Sequence, residues 1–143
     1  MKKIILFCLL SGFYGNLMAQ DSSVAFKDGE WLKFRLHYGF LNASYATLHL
    51  TKATLDKKSL FHVVAKGKTT GWASIFFKVD DTYESFFTPK KNEPIKFIRK
   101  VREGGTTMHL EVDFDHENDK AYMQDLKNGK DFEFDTQKGI QDI

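Results

Sequence analysis

From residue 31 onward the chain alternates apolar and polar side chains with a period of two. In residues 31–38, Leu32, Phe34, Leu36 and Tyr38 alternate with Lys33, Arg35 and His37, which predicts a half-buried strand ending at Gly39. Residues 44–51 repeat the pattern, with Ala46, Leu48 and Leu50 against Thr47 and His49, and residues 60–65 are rich in β-branched and aromatic side chains. Residues 79–88 put Tyr83 and Phe87 on one face. In residues 95–102, Ile95, Phe97 and Val101 oppose Lys96, Lys100 and Arg102, while Ile98 and Arg99 blur the faces. Residues 107–114 alternate strictly: Met108, Leu110, Val112 and Phe114 against His109, Glu111 and Asp113. Residues 121–126 and 131–134 flank Asn128-Gly129, a strong hairpin signal. Turns are expected at 55–59, 89–94, Gly104-Gly105 and 115–119. Residues 69–77 do not alternate and read as a short helix or a bulged connection. With about eight strands and almost no helix, the pattern predicts an all-β antiparallel meander. Each strand must hide one apolar face, so the sheet is expected to form a pseudo-barrel or a two-sheet sandwich.

The first twenty residues follow a different rule. Lys2 and Lys3 precede an apolar run at 4–10, broken by Ser11, Gly12 and Gly15 and ending in the small Ala19. This is the order of a cleavable secretory signal, which predicts a signal peptide at 1–19 and a β-rich domain at 20–143. The apolar run falls well short of the ~20 residues that span a bilayer. Cys8 lies inside the run rather than after it, which excludes a lipidated cysteine. After cleavage no cysteine is left, and Lys+Arg falls from 21 to 19 against 19 Asp+Glu. The mature chain is therefore formally neutral, which argues against a nucleic-acid partner. The C-terminal end closes on Ile140 and Ile143 with no polar tail, so the domain is expected to be truncated there. A hydrophobic content of 42% is too high for a disordered chain, and a mean hydropathy of −0.39 is too low for a polytopic membrane protein.

Candidate chemistry is sparse. Gly67-Lys68-Thr69 ends like a phosphate-binding loop, but the glycine required five residues earlier is His62. The acidic turn from Asp113 to Asp119, with Asp115 and Glu117, reads as a solvated hairpin turn with calcium as the alternative. His37, His49, His62, His109 and His116 show no metal-ligand spacing, although His37, His49 and His109 fall on polar faces that a sheet could align. Asp80, Asp81 and Glu84 could serve as paired carboxylates of a hydrolase. Lys96, Arg99, Lys100 and Arg102 form a basic strand, read as the solvent face of an edge or as a contact for anionic groups. Trp72, Ile75, Phe76 and Phe77 interrupt the strand pattern. They are read as a core plug or, functionally, as a lid over a hydrophobic-ligand site.

Several phrases together resemble the domain-of-unknown-function 3108 family of exported bacterial proteins. They are Gly29-Glu30-Trp31-Leu32-Lys33-Phe34, Tyr38-Gly39-Phe40-Leu41-Asn42-Ala43, Gly67-Lys68-Thr69-Thr70-Gly71, Phe76-Phe77-Lys78-Val79-Asp80-Asp81, Tyr83-Glu84-Ser85 and Asp113-Phe114-Asp115-His116-Glu117-Asn118. The resemblance implies a β-rich pseudo-barrel of twisted sheets in the Gram-negative cell envelope, with more sheet and a helical segment beyond residue 143. It implies no activity and no functional residues.

The expected function is that of an exported, non-enzymatic periplasmic or outer-membrane-associated β protein without a cofactor or a transmembrane span. It would bind a lipid or other hydrophobic or amphipathic ligand, with Trp72, Ile75, Phe76 and Phe77 as the lid. The alternative is an interaction module with an envelope protein partner, in cell-envelope or polysaccharide-export assembly. A carboxylate-based hydrolase is the distant third.

Overall fold

The computed structural model describes residues 25–142, so the leader reading lies outside the described residues. Eight strands run in chain order: β1 (Trp31–Tyr38), β2 (Leu41–Leu55), β3 (Lys58–Thr69), β4 (Asp80–Phe87), β5 (Pro94–Glu103), β6 (Thr106–Asp115), β7 (Lys120–Asp125) and β8 (Lys130–Asp135). One short helix, α1 (Ala73–Phe76), interrupts them between β3 and β4. Every strand pairs antiparallel with its successor in a single sheet of order β1-β2-β3-β4-β5-β6-β7-β8. The meander is the one expected. Among the described residues the sheet is not closed, because β1 and β8 do not pair with each other, and there is no second sheet.

Turn chemistry fixes the register. The β2–β3 hairpin is tighter than the sequence suggests: Leu55 pairs with Lys58, leaving Asp56 and Lys57 as a two-residue loop. Both have positive φ, 48° and 65°, the geometry of a turn whose twist matches the flanking strands. The β6–β7 and β7–β8 loops are built alike, from Asp115-His116-Glu117-Asn118-Asp119-Lys120 and Asp125-Leu126-Lys127-Asn128-Gly129-Lys130. The Asp115 Oδ1 accepts the N–H groups of Glu117 and Asn118 at 3.0 and 3.1 Å, and its Oδ2 accepts the Asn118 side-chain amide at 2.7 Å. Asp125 does the same for Lys127 and Asn128, at 3.1, 3.1 and 2.6 Å. Each loop then closes on a residue of positive φ, Asp119 or Gly129. The Asn-Gly signal is thus used inside a longer loop than the two-residue turn it usually marks. Both oxygens of Asp115 are engaged in turn geometry, and no cluster of three metal-ligating side chains occurs among the described residues.

Strand alternation and register divide the sheet into two faces. Leu48 of β2 faces Leu32 and Ala65, Ala65 faces Tyr83, and Tyr83 faces Arg99, which in turn faces Leu110. Phe97, Val112, Met123 and Phe132 align in the same way. This is the apolar face. The polar face carries His49, His62, Lys66, Glu84, Lys96, Lys100, His109, Glu111 and Glu133.

Burial is concentrated towards the end of the sheet that holds the β2–β3, β4–β5 and β6–β7 loops, here called the lower end. Leu50, Leu60, Phe61, Pro94 and Ala121 are buried there. Phe26 covers this region edge-on, with ring centroids 6.3 Å from Phe61 and 5.8 Å from Phe87. The upper end holds the β1–β2, β3–β4, β5–β6 and β7–β8 connections.

Candidate functional site

The apolar face is incompletely covered. Leu32, Phe34 and Leu36 on β1, and Phe132 and Phe134 on β8, are all exposed. In the middle of the face stands Arg99. It is flanked along β5 by Phe97 and Val101 and faces Tyr83 on β4 and Leu110 on β6. Its guanidinium carbon lies 5.6 Å from the Tyr83 ring centroid, a cation–π contact. The Arg99 Nε is buried without a hydrogen-bond acceptor among the described residues, and so is the hydroxyl of Ser85, two positions from Tyr83. Leaving a buried donor unsatisfied disfavours the folded state by about 1–3 kcal/mol. Both polar atoms are buried without a partner among the described residues, beneath an otherwise apolar surface.

The blurring of faces at Ile98 and Arg99 has its explanation here. The alternation does not break: Ile98 stands on the polar face and Arg99 on the apolar one. The other three residues of the basic strand, Lys96, Lys100 and Arg102, point to the polar face. β5 lies between β4 and β6, so the basic strand is central rather than an edge.

At the upper margin of the apolar face, Asp81 is buried and accepts the Arg102 N–H at 2.9 Å. A hydrogen bond with Asp81 holds the Glu103 carboxyl above its ordinary range, while Arg99 pulls weakly the other way. Asp81 and Glu84 project from opposite faces of β4. Asp80 and Glu84 share a face but are four residues apart, roughly 13 Å along a strand. Paired glycosidase carboxylates sit about 5–9.5 Å apart. The three candidate carboxylates are not brought together.

Glu84 instead joins a charge ladder on the polar face. Its Oε2 accepts from the His62 Nε2 at 3.0 Å, its Oε1 lies 3.6 Å from the Lys100 ammonium, and the His62 ring stacks on Phe86 at 4.1 Å. Lys96 donates to Glu111 at 2.9 Å and sits 3.3 Å from Asp113. Sequence reasoning did not find the His62–Glu84 pair, because the partners are 22 residues apart and meet only through the β3–β4 register. His37, His49 and His109 lie on β1, β2 and β6 and do not align. Gly67-Lys68-Thr69 is the end of β3, extended and paired, not a loop.

The four lid candidates lie on α1 and its flanks, at the upper end. All four are exposed, and the Phe77 ring also lies against Gly104 in the β5–β6 turn.

The class of protein these features define is an all-β antiparallel meander with an accessible apolar face and a lone arginine set into its middle. The sequence profile described as "Protein of unknown function (DUF3108)" matches residues 33–143, and the chain belongs to that family. No curated protein and no solved structure matches the chain.

Proposed function

We propose that this protein is an exported, non-enzymatic component of the cell envelope that binds an amphipathic ligand with an anionic head on the apolar face of its sheet. The observation that carries the reading is Arg99, a charged side chain flanked along its strand by Phe97 and Val101, whose Nε has no hydrogen-bond acceptor among the described residues. An anionic head would pair with the Arg99 guanidinium through a charge-assisted contact, and the flanking Phe97, Val101 and Leu110 would receive the apolar tail. The connection bearing Trp72, Ile75, Phe76 and Phe77 stands at the upper end of this face, where a lid would act. Export rests on the leader read at residues 1–19.

The test is binding of a fluorescent long-chain fatty acid to the protein and to Arg99→Met. The parent is expected to bind the fatty acid at least tenfold more tightly than its neutral alcohol analogue, and Arg99→Met is expected to lose that preference. Equal affinities for acid and alcohol in the parent would refute the reading.

A second reading, an interaction module in envelope or polysaccharide-export assembly, is favoured by the two edge strands. β1 and β8 each have a paired neighbour on one side among the described residues, which leaves a row of backbone groups for strand addition. Photo-crosslinkers placed along β1 and β8 in cells would report a discrete partner on that reading and no adduct otherwise.

A further inference from the structure

The upper end of the sheet gathers large apolar side chains that are mostly exposed. Phe40, in the β1–β2 turn, is 94% exposed. Trp72, Ile75 and Phe76, in the β3–β4 connection, are 69%, 71% and 83% exposed. The two segments lie side by side: the Thr70 N–H donates to the Ala43 carbonyl at 3.0 Å, and Ser44 pairs with Thr69. Packing of Phe77 on Gly104, with the Gly104 N–H donating to the Lys78 carbonyl at 2.8 Å, ties the connection to the neighbouring β5–β6 turn. The four side chains, here called the tip, therefore protrude together from a fixed base.

Charge follows the same end. Arg35, Lys66, Lys68, Lys78 and Arg102 lie in the upper halves of β1, β3 and β5 and at the entry to β4, four of them on the polar face. None of the five has an ion-pair partner among the described residues. The acids on those strand ends are Asp80, across from Lys68, Asp81, which accepts the Arg102 N–H, and Glu103.

We propose that this upper end docks on an anionic lipid bilayer, with Phe40, Trp72, Ile75 and Phe76 entering the interfacial layer and the five cations resting on the headgroups. Aromatic side chains partition to the headgroup level. Apolar insertion combined with a cationic collar is the usual recipe for reversible attachment to anionic membranes. Charge complementarity selects a lipid surface here, because cations without ion-pair partners among the described residues lie beside the apolar group on several strands. The inference does not depend on Arg99 or on a bound ligand.

The test uses the protein as recovered from its producing cell, mixed with vesicles of phosphatidylcholine alone or containing 30% phosphatidylglycerol. Expected are flotation with the phosphatidylglycerol vesicles, at least tenfold weaker binding to phosphatidylcholine alone, and weakening with added salt. In a Trp31→Phe background, the Trp72 emission should shift to the blue on binding. Phe40→Ser/Phe76→Ser should lose at least tenfold in vesicle affinity with an unchanged thermal midpoint and circular dichroism. Any apolar leader is common to parent and variant, so the difference between them reads the tip. Arg99→Met should float as the parent does, which separates this inference from the ligand reading. Absence of binding to anionic vesicles, equal binding by Phe40→Ser/Phe76→Ser, or equal affinity for the two vesicle types would overturn it. So would capture of an envelope protein through the tip without vesicle binding.

Discussion

The ring of Phe77 rests on the backbone of Gly104, so closely that a Cβ at Gly104 would meet the ring Cε2 at 3.1 Å. Gly104 also has φ +58°, a conformation that side chains with a Cβ disfavour. Gly104→Ala should therefore destabilise the fold by about 1–2 kcal/mol through backbone strain and displacement of the ring together. Gly129 provides the control. Its φ is +62°, but nothing lies within 4 Å of its missing Cβ. Gly129→Ala should lose about 1 kcal/mol, through strain alone. Urea denaturation of the two variants checks the order; equal losses would mean that Phe77 does not hold the connection.

Few side chains are fully buried, so each matters. Leu60 is 2% exposed. Leu60→Ala should shift the urea midpoint by the equivalent of about 3 kcal/mol at unchanged slope, a large fraction of a typical domain's stability. Phe40→Ser, at the bare tip, should stay within about 0.5 kcal/mol of the parent.

The Lys96–Glu111 pair gives stability a plateau in pH. Glu111 is held below its ordinary value of 4.5, first by the hydrogen bond from Lys96, against the opposing effect of burial. Its stabilisation is complete above pH 4.5 and is lost as pH falls through the lower folded value. Lys96 is held above 10.5, since the pull of burial is outweighed by Glu111 and Asp113. Its stabilisation is complete below pH 10.5 and is lost as pH rises through the higher folded value. Lys96→Met should reduce both dependences in thermal midpoints taken from pH 3 to 11, by at most about 1 kcal/mol for so solvent-screened a pair.

Asp115 and Asp125 also sit below their ordinary values, first because of the side-chain hydrogen bonds from Asn118 and Asn128. With their oxygens engaged in the loops, calcium is expected to produce no rise in the thermal midpoint. Asp125→Ala should increase amide exchange at Lys127 and Asn128, the two N–H groups it accepts, while leaving the β2–β3 hairpin protected.

Much of the architecture is legible in the alternation because it is local. Trp31–Tyr38 is a strand with the bounds its pattern suggests, and residues 107–114 fall within β6. β2 is longer than expected, running to Leu55, because the Asp56-Lys57 turn needs no glycine to close it. A regular signal passed unread: the repeated Asp-x-x-Asn of the two later loops, whose identical hydrogen bonds explain why both hairpins close alike.

The candidate site was legible in part. Trp72, Ile75, Phe76 and Phe77 stand out by breaking the period, but the contact of the Phe77 ring with Gly104 needs the β5–β6 turn, nearly thirty residues on. Arg99 looked like noise between two faces and proved to be a charge placed on the apolar one.

The sequence by itself determined the strands, their order and which side chains share a face, because a period of two and short turns act over a few residues. The tertiary structure decided which face stays uncovered, that Glu84 answers His62 rather than Asp80, and that Phe40 joins Trp72 at one end. Those outcomes depend on registers between strands distant in the chain, and on whether the sheet's edges meet, which no local pattern encodes.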